Sequence, residues 1–148
     1  MREPWRNTYA HLMACIGWPE LVQRYAGQHL IQRLGAKPRA LLDGMLRGGV
    51  NSPPASSCGR LFDAVAAACG VCFERCAFEG EAAMVLESLA DSHTLEHEDD
   101  TLAYHFGVGP LAHGDLPNLD PTPMWRALLD DLQPVSYTHL TLPTNREV

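Results

Sequence analysis

Apolar residues in the first fifty positions recur at helical spacing. Trp5, Tyr9, Leu12, Met13 and Ile16 follow one another mostly three or four apart, which lines one face of an α-helix. The triplet Gly17-Trp18-Pro19 interrupts the run, because glycine and proline both disfavour helix continuation, and Leu21, Val22 and Tyr25 open a second one. Leu41, Leu42, Met45 and Leu46 form a further amphipathic turn or two, stopped by Gly48-Gly49 just before Val50-Asn51. These segments are predicted to be packing helices.

The stretch from Asn51 to Leu89 has a different pattern. Pro53 and Pro54 cannot extend a preceding helix, and Ser56 or Ser57 can accept a hydrogen bond from the free amides of a first turn, so a helix is predicted to start there. Around that helix, Leu61, Phe62, Val65, Ala68, Cys69 and Cys72 gather on a side predicted to face the core. Gly59, Asp63, Ala66, Ala67 and Gly70 gather on the other. A strip of minimal side chains around one carboxylate lets a flat ligand come close. It equally lets a second helix pack tightly, with Asp63 satisfied by a neighbouring amide. Phe78-Glu79-Gly80-Glu81 then restarts a second helix.

Further on, Asp91 to Thr101 is acidic and lacks an apolar period, as an exposed loop does. Leu102 to Val108 alternates and is predicted to be a strand with Leu102, Tyr104 and Phe106 on one face. Pro110 to Pro123 is predicted to be loop, and a helix is predicted to run through Met124 to Leu129 after Asp120 or Thr122. Residues 135–148 continue no period of the preceding element. Their first ten resemble a translated sequencing adapter, so they are read as a non-native tail behind a domain of residues 1–134.

With 148 residues the chain can bury a modest core. Its charge of −7, from 11 basic and 18 acidic residues, argues against a nucleic-acid surface, which needs clustered Lys and Arg. No apolar run reaches the length of a membrane span and the N-terminus has no signal-peptide core, so a cytoplasmic protein without membrane contact is expected. The odd count of 5 cysteines fits a reducing compartment better than a disulfide framework.

Cys69, Cys72 and Cys76 form C-x2-C-x3-C, with Cys58 upstream, a spacing that thiolate ligands to zinc or an iron–sulfur cluster use. If the helix continues through them they share the face of Leu61 and Val65, and buried structural thiols account for them without a metal. His93 and His97 have the H-x3-H spacing of a ligand pair but sit in the acidic loop and are read as solvated. No phosphate-loop or nucleophile-elbow motif occurs, and the sequence identifies no catalytic residue.

The segments NSPPASSCGRLFDAVAAACG, FEGEAAMVLESLA and LDPTPMWRALLDDL resemble the C-terminal half of the HypF carbamoyltransferases, which mature nickel–iron hydrogenases. More distantly, G-x-x-FD-x-x-A resembles the matching helix of the tRNA threonylcarbamoyl transferases. The resemblance implies an α/β fragment of an actin-like, Kae1-like ATPase domain, the fragment itself mostly helical with one or two short strands. It implies a nucleotide site in which Asp63 contacts the ribose and Gly80 lies against the nucleoside, with Glu81 and Gly59 beside them. A carboxylate has two acceptor oxygens that suit vicinal hydroxyls. Membership in the motif adds Asn51, Ser56, Ser57 and Arg60 as possible substrate contacts.

By the same resemblance, the intact enzyme uses ATP and carbamoyl phosphate to form carbamoyl adenylate. It then passes the carbamoyl group to a cysteine of a HypE-like partner, on the way to the cyanide ligands of hydrogenase. A divalent metal is expected in the intact domain, with ligands outside this chain, so the chain alone is expected to be inactive. Two alternatives remain at this level: a tRNA threonylcarbamoyl transferase-like domain, which the acidity disfavours, and a small non-enzymatic Cys-rich metal-binding or interaction module.

Overall fold

The computed structural model describes residues 3–51, 58–90, 103–109 and 118–133. Helices α1 (Pro4–Cys15), α2 (Trp18–Tyr25), α3 (His29–Gly35) and α4 (Arg39–Gly48) come first. They are followed by α5 (Cys58–Ala68), α6 (Glu81–Ser88), a short antiparallel pair β1 (Gly107–Gly109) and β2 (Asn118–Asp120), and α7 (Thr122–Asp131). The mostly helical expectation with short strands holds.

Prolines and glycines punctuate the chain as their backbone limits require. Pro4, Pro19 and Pro123 sit in the first turns of α1, α2 and α7, where a missing N–H leaves no helical bond unmade. Gly49, at φ +64°, ends α4, and the Val50 N–H closes back on the Met45 carbonyl at 3.0 Å. At the end of α5, Gly70 at φ +86° does the same: its N–H reaches Ala67 O at 3.0 Å and that of Val71 reaches Ala66 O at 2.8 Å.

One core joins the first and last described helices. Trp5, Tyr9 and Leu12 of α1 pack with Leu21 and Tyr25 of α2, Leu30, Ile31 and Leu34 of α3, and Leu42 of α4. Ala64, Ala67 and Ala68 of α5, Phe73, and Met124, Trp125, Leu128 and Leu129 of α7 complete it. The buried Thr8 hydroxyl donates to Ala64 O at 2.8 Å, tying α1 to α5. A smaller cluster of Ala66, Cys76 and Ala82, with Val71, Cys72 and Leu86 against it, seats α6 on the other flank of α5.

Three expectations are corrected. The small-residue side of α5 is largely its packing side: Ala66 and Ala67 are fully buried, whereas Phe62 is 53% exposed and Cys69 is exposed. Alanines let the α1 and α6 backbones approach, while Leu61, Val65 and Ala68 of the predicted core side do pack against the core. Second, α5 stops at Ala68, so Cys72 and Cys76 lie in the following loop and share no helix face with Cys69. Third, the strand is Gly107–Gly109, with Tyr104 and Phe106 before it, and its partner Asn118–Asp120 comes from a stretch expected to be loop. Asn118–Asp120 is exposed throughout and carries no buried alternation to read. The pairing sets Gly107 against Asp120, where a Cβ on residue 107 would come within 3.3 Å of the Asp120 side chain. Asp120 in turn accepts from the Thr122 N–H at 2.9 Å and hydroxyl at 2.6 Å, starting α7.

Candidate functional site

Asp63 lies at the edge of the α1–α5 contact, its side chain 15% exposed. Its Oδ2 stands 3.5 Å from Asn7 Nδ2, presented by α1, and 3.5 Å from Arg60 Nη1, one turn back on α5. Both are long, weak hydrogen bonds. Asn7 is buried and Arg60 half exposed, so the carboxylate sits in a polar niche between helices. Gly59, one turn before Asp63, is exposed, and a Cβ there would meet nothing within 4 Å.

Gly80 takes the left-handed conformation at φ +85° immediately before α6. Its surroundings are open to 4 Å around the position a Cβ would occupy, so the backbone turn is accessible from outside. Glu81, the first residue of α6, turns back and accepts a hydrogen bond from the Ala77 N–H, closing the loop that precedes the helix. Asn51 is exposed, with φ +51°. Ser56, Ser57, His93 and His97 lie outside the described residues. The structure thus puts Asp63, Arg60 and Gly59 together on one stretch of α5, and Gly80 and Glu81 together at the start of α6, which packs against α5.

A cleft of about 150 Å³ opens elsewhere, between Gln28, His29 and Arg33 on one side and Cys69, Gly70 and Leu132 on the other. None of the sequence-predicted nucleotide residues lines it. The His11 ring lies tilted at 39° to that of Trp125 with ring centres 5.7 Å apart, and burial lowers its pKa, which suits a neutral packing group.

One cluster was not legible as such in the sequence. Cys72, Cys76 and Glu81 bring two sulfurs and a carboxylate oxygen within 4.8 Å of one another. Cys76 is buried, and its thiol is pushed up by burial and by the neighbouring Cys72. A C-x3-C-x4-E spacing behind a helix-ending glycine was the available signal. The spacing becomes meaningful only because α5 ends at Ala68.

Residues 1–141 match the family model described as carbamoyltransferase, Kae1-like domain, second subdomain. The chain belongs to the HypF carbamoyltransferase family. Among HypF relatives, the carbamoyltransferase HypF of Rhodobacter capsulatus is 39% identical over 141 residues, covering 93% of this chain and 16% of that protein. Carbamoyltransferase HypF2 of Cupriavidus necator is 42% identical over 116 residues, covering 76% of this chain and 13% of that protein. A HypF homolog of the same organism is 38% identical over 89 residues, covering 60% of this chain and 21% of that protein. The chain therefore spans between 13% and 21% of the length of these HypF relatives. No solved structure matches. Among the described residues, no helix is long and apolar enough to cross a membrane.

Proposed function

We propose that the chain is the part of an actin-like, Kae1-like carbamoyl-transfer domain that holds the nucleotide end of carbamoyl adenylate. The carrying observation is the family match over residues 1–141. In this reading Asp63 accepts hydrogen bonds from the ribose hydroxyls, and Asn7 and Arg60 orient its carboxylate from either side. The open Gly80 turn gives the nucleoside a side-chain-free surface to lie against, and Gly59 keeps the approach to Asp63 clear. Glu81 braces the turn through the Ala77 N–H. Asn51 and Arg60, with Ser56 and Ser57, are proposed substrate contacts.

In the intact enzyme, carbamoyl phosphate and ATP supply the adenylate. The thiolate sulfur of a HypE-like partner's cysteine attacks the carbamoyl carbon, the bond from that carbon to the adenylate oxygen breaks, and AMP leaves with the electron pair. Holding the sugar fixes the reacting carbon near the incoming sulfur, so the residues here contribute by positioning. A divalent cation is expected in the intact domain, with its ligands outside this chain. No step is assigned through it.

The test is Asp63→Ala in a full-length parent enzyme. Adenylate affinity is expected to fall by about 1.5–3 kcal/mol, typical of a hydrogen bond to a charged group. Unchanged affinity in a folded variant overturns the assignment of Asp63. The 148-residue chain alone is expected to show no carbamoyl transfer.

A further inference from the structure

The loop from Cys69 to Gly80 is held in place from several sides. The Trp5 N–H donates to Phe73 O at 3.2 Å, the Arg33 guanidinium lies 3.6 Å from the centre of the Phe73 ring, and Glu74 pairs with Arg33 at 3.1 Å and Lys37 at 2.6 Å. Within this anchored loop Cys72 is a non-glycine residue at φ +48°, which turns the chain back so that Cys72 and Cys76 meet. The Cys72 and Cys76 sulfurs and a Glu81 carboxylate oxygen lie within 4.8 Å of one another. Glu81 arrives from the first turn of α6 with its carboxylate already directed back over the loop toward the Ala77 N–H. Neither cysteine is exposed, and Cys76 is 4% exposed among Ala66, Ala82, Val71 and Leu86.

We infer that Cys72, Cys76 and Glu81 form a binding site for a thiophilic divalent cation of the zinc class. Two sulfurs and one carboxylate oxygen select zinc over calcium or magnesium, which take oxygen ligands alone. Zinc bonds of about 2.3 Å to sulfur and about 2.0–2.2 Å to oxygen put neighbouring tetrahedral ligand atoms roughly 3.5–3.8 Å apart. The present span of 4.8 Å closes to that by side-chain rotation of about 1 Å. Binding displaces the thiol protons of Cys72 and Cys76 to solvent and leaves a fourth position for water. Cys58 and Cys69, both exposed, stand outside the group. The inference rests on the loop geometry and shares only Glu81 with the nucleotide reading, so uptake of zinc and the affinity for adenylate are tested separately.

The test uses the reduced 148-residue chain and zinc chloride. The expected result is one equivalent bound with proton release. Zinc should slow alkylation of Cys72 and Cys76, read by peptide mass spectrometry, while Cys58 and Cys69 react at unchanged rates. Cobalt in place of zinc should show a thiolate charge-transfer band that is lost in Cys72→Ser and kept in Cys69→Ser. Glu81→Gln should weaken binding about tenfold or more, a ligand's loss being at least as costly as that of a supporting group. Failure to take up zinc, protection falling on Cys58 or Cys69, or a cobalt band that survives Cys72→Ser overturns the site. The alkylation pattern of the unmodified chain decides the matter even where a variant does not fold.

Discussion

Thr8 shows how one hydroxyl aligns two helices. It is fully buried on α1, and its bond to Ala64 O at 2.8 Å crosses to the backbone of α5 at the point where alanines let the helices touch. Thr8→Val keeps the shape and loses the bond, so stability should fall by about 1 kcal/mol. A lower urea midpoint with an unchanged slope would register it. Tyr9 makes a second such link, its hydroxyl donating to Asp43 at 2.6 Å. Burial first, and then that bond, raise the phenol pKa above its ordinary 10.0, and Tyr104, bonded to Asp131, is pushed up to about 12 for the same reasons. A group whose pKa is raised by folding contributes stability that is complete below its unfolded value and is lost as pH rises toward the folded one. The chain should therefore lose stability above the unfolded tyrosine value of 10.0, and Tyr9→Phe should lose it less steeply. Urea midpoints measured across the alkaline range are the check.

At the scale of elements, the start of α6 depends on a conformation and not on a contact. Gly80 stands at φ +85° with nothing within 4 Å of where a Cβ would be. Gly80→Ala should cost about 1–2 kcal/mol through the left-handed backbone alone, and Gly80→Asn less, since asparagine tolerates that region. Equal losses in chemical denaturation for the two variants would point instead to a steric clash. The loop before α6 is organised differently. Phe73 is buried in the main core, and Arg33, Lys37 and Glu74 close over its outer side. Lys37 foremost, and then Arg33, hold the Glu74 carboxyl below the usual range, but the exposed position of Glu74 leaves the anchoring to the ring and to the Trp5–Phe73 backbone bond.

The whole molecule is closed by its last described helix. α7 returns to the first helices with Trp125 and Leu129 fully buried, Gln28 Nε2 donating to Leu129 O at 2.5 Å, and Tyr25 donating to Asp130 at 3.0 Å. Arg126 pairs with Glu20 at its rim, a half-buried contact that holds the Glu20 carboxyl low. Trp125→Ala removes the largest fully buried side chain and should cost about 3–5 kcal/mol. Because α1, α2, α3 and α7 share one core, circular dichroism and fluorescence should report a single lowered transition.

Local chemistry made the helices legible in advance. The Gly17-Trp18-Pro19 break, the Gly48-Gly49 stop and the restart at Glu81 each depend on a backbone preference that a residue carries wherever it is placed. Asp63 and Gly80 were drawn from the sequence as members of a pattern, and their nucleotide role is a proposal. Periodicity could not say which face of α5 is buried, because alanine and glycine are compatible with either. Only the arrival of α1 and α6 decided it, burying Ala64, Ala66 and Ala67 and leaving Phe62 outside. The β1–β2 pair escaped notice because β2 buries no face, and register then rests on backbone bonds between distant segments. The meeting of Cys72, Cys76 and Glu81 likewise required the helix to end at Ala68 and the loop to fold back under α6. Residue type sets what each position is able to do locally. Which side chains then face one another depends on how segments distant along the chain are packed.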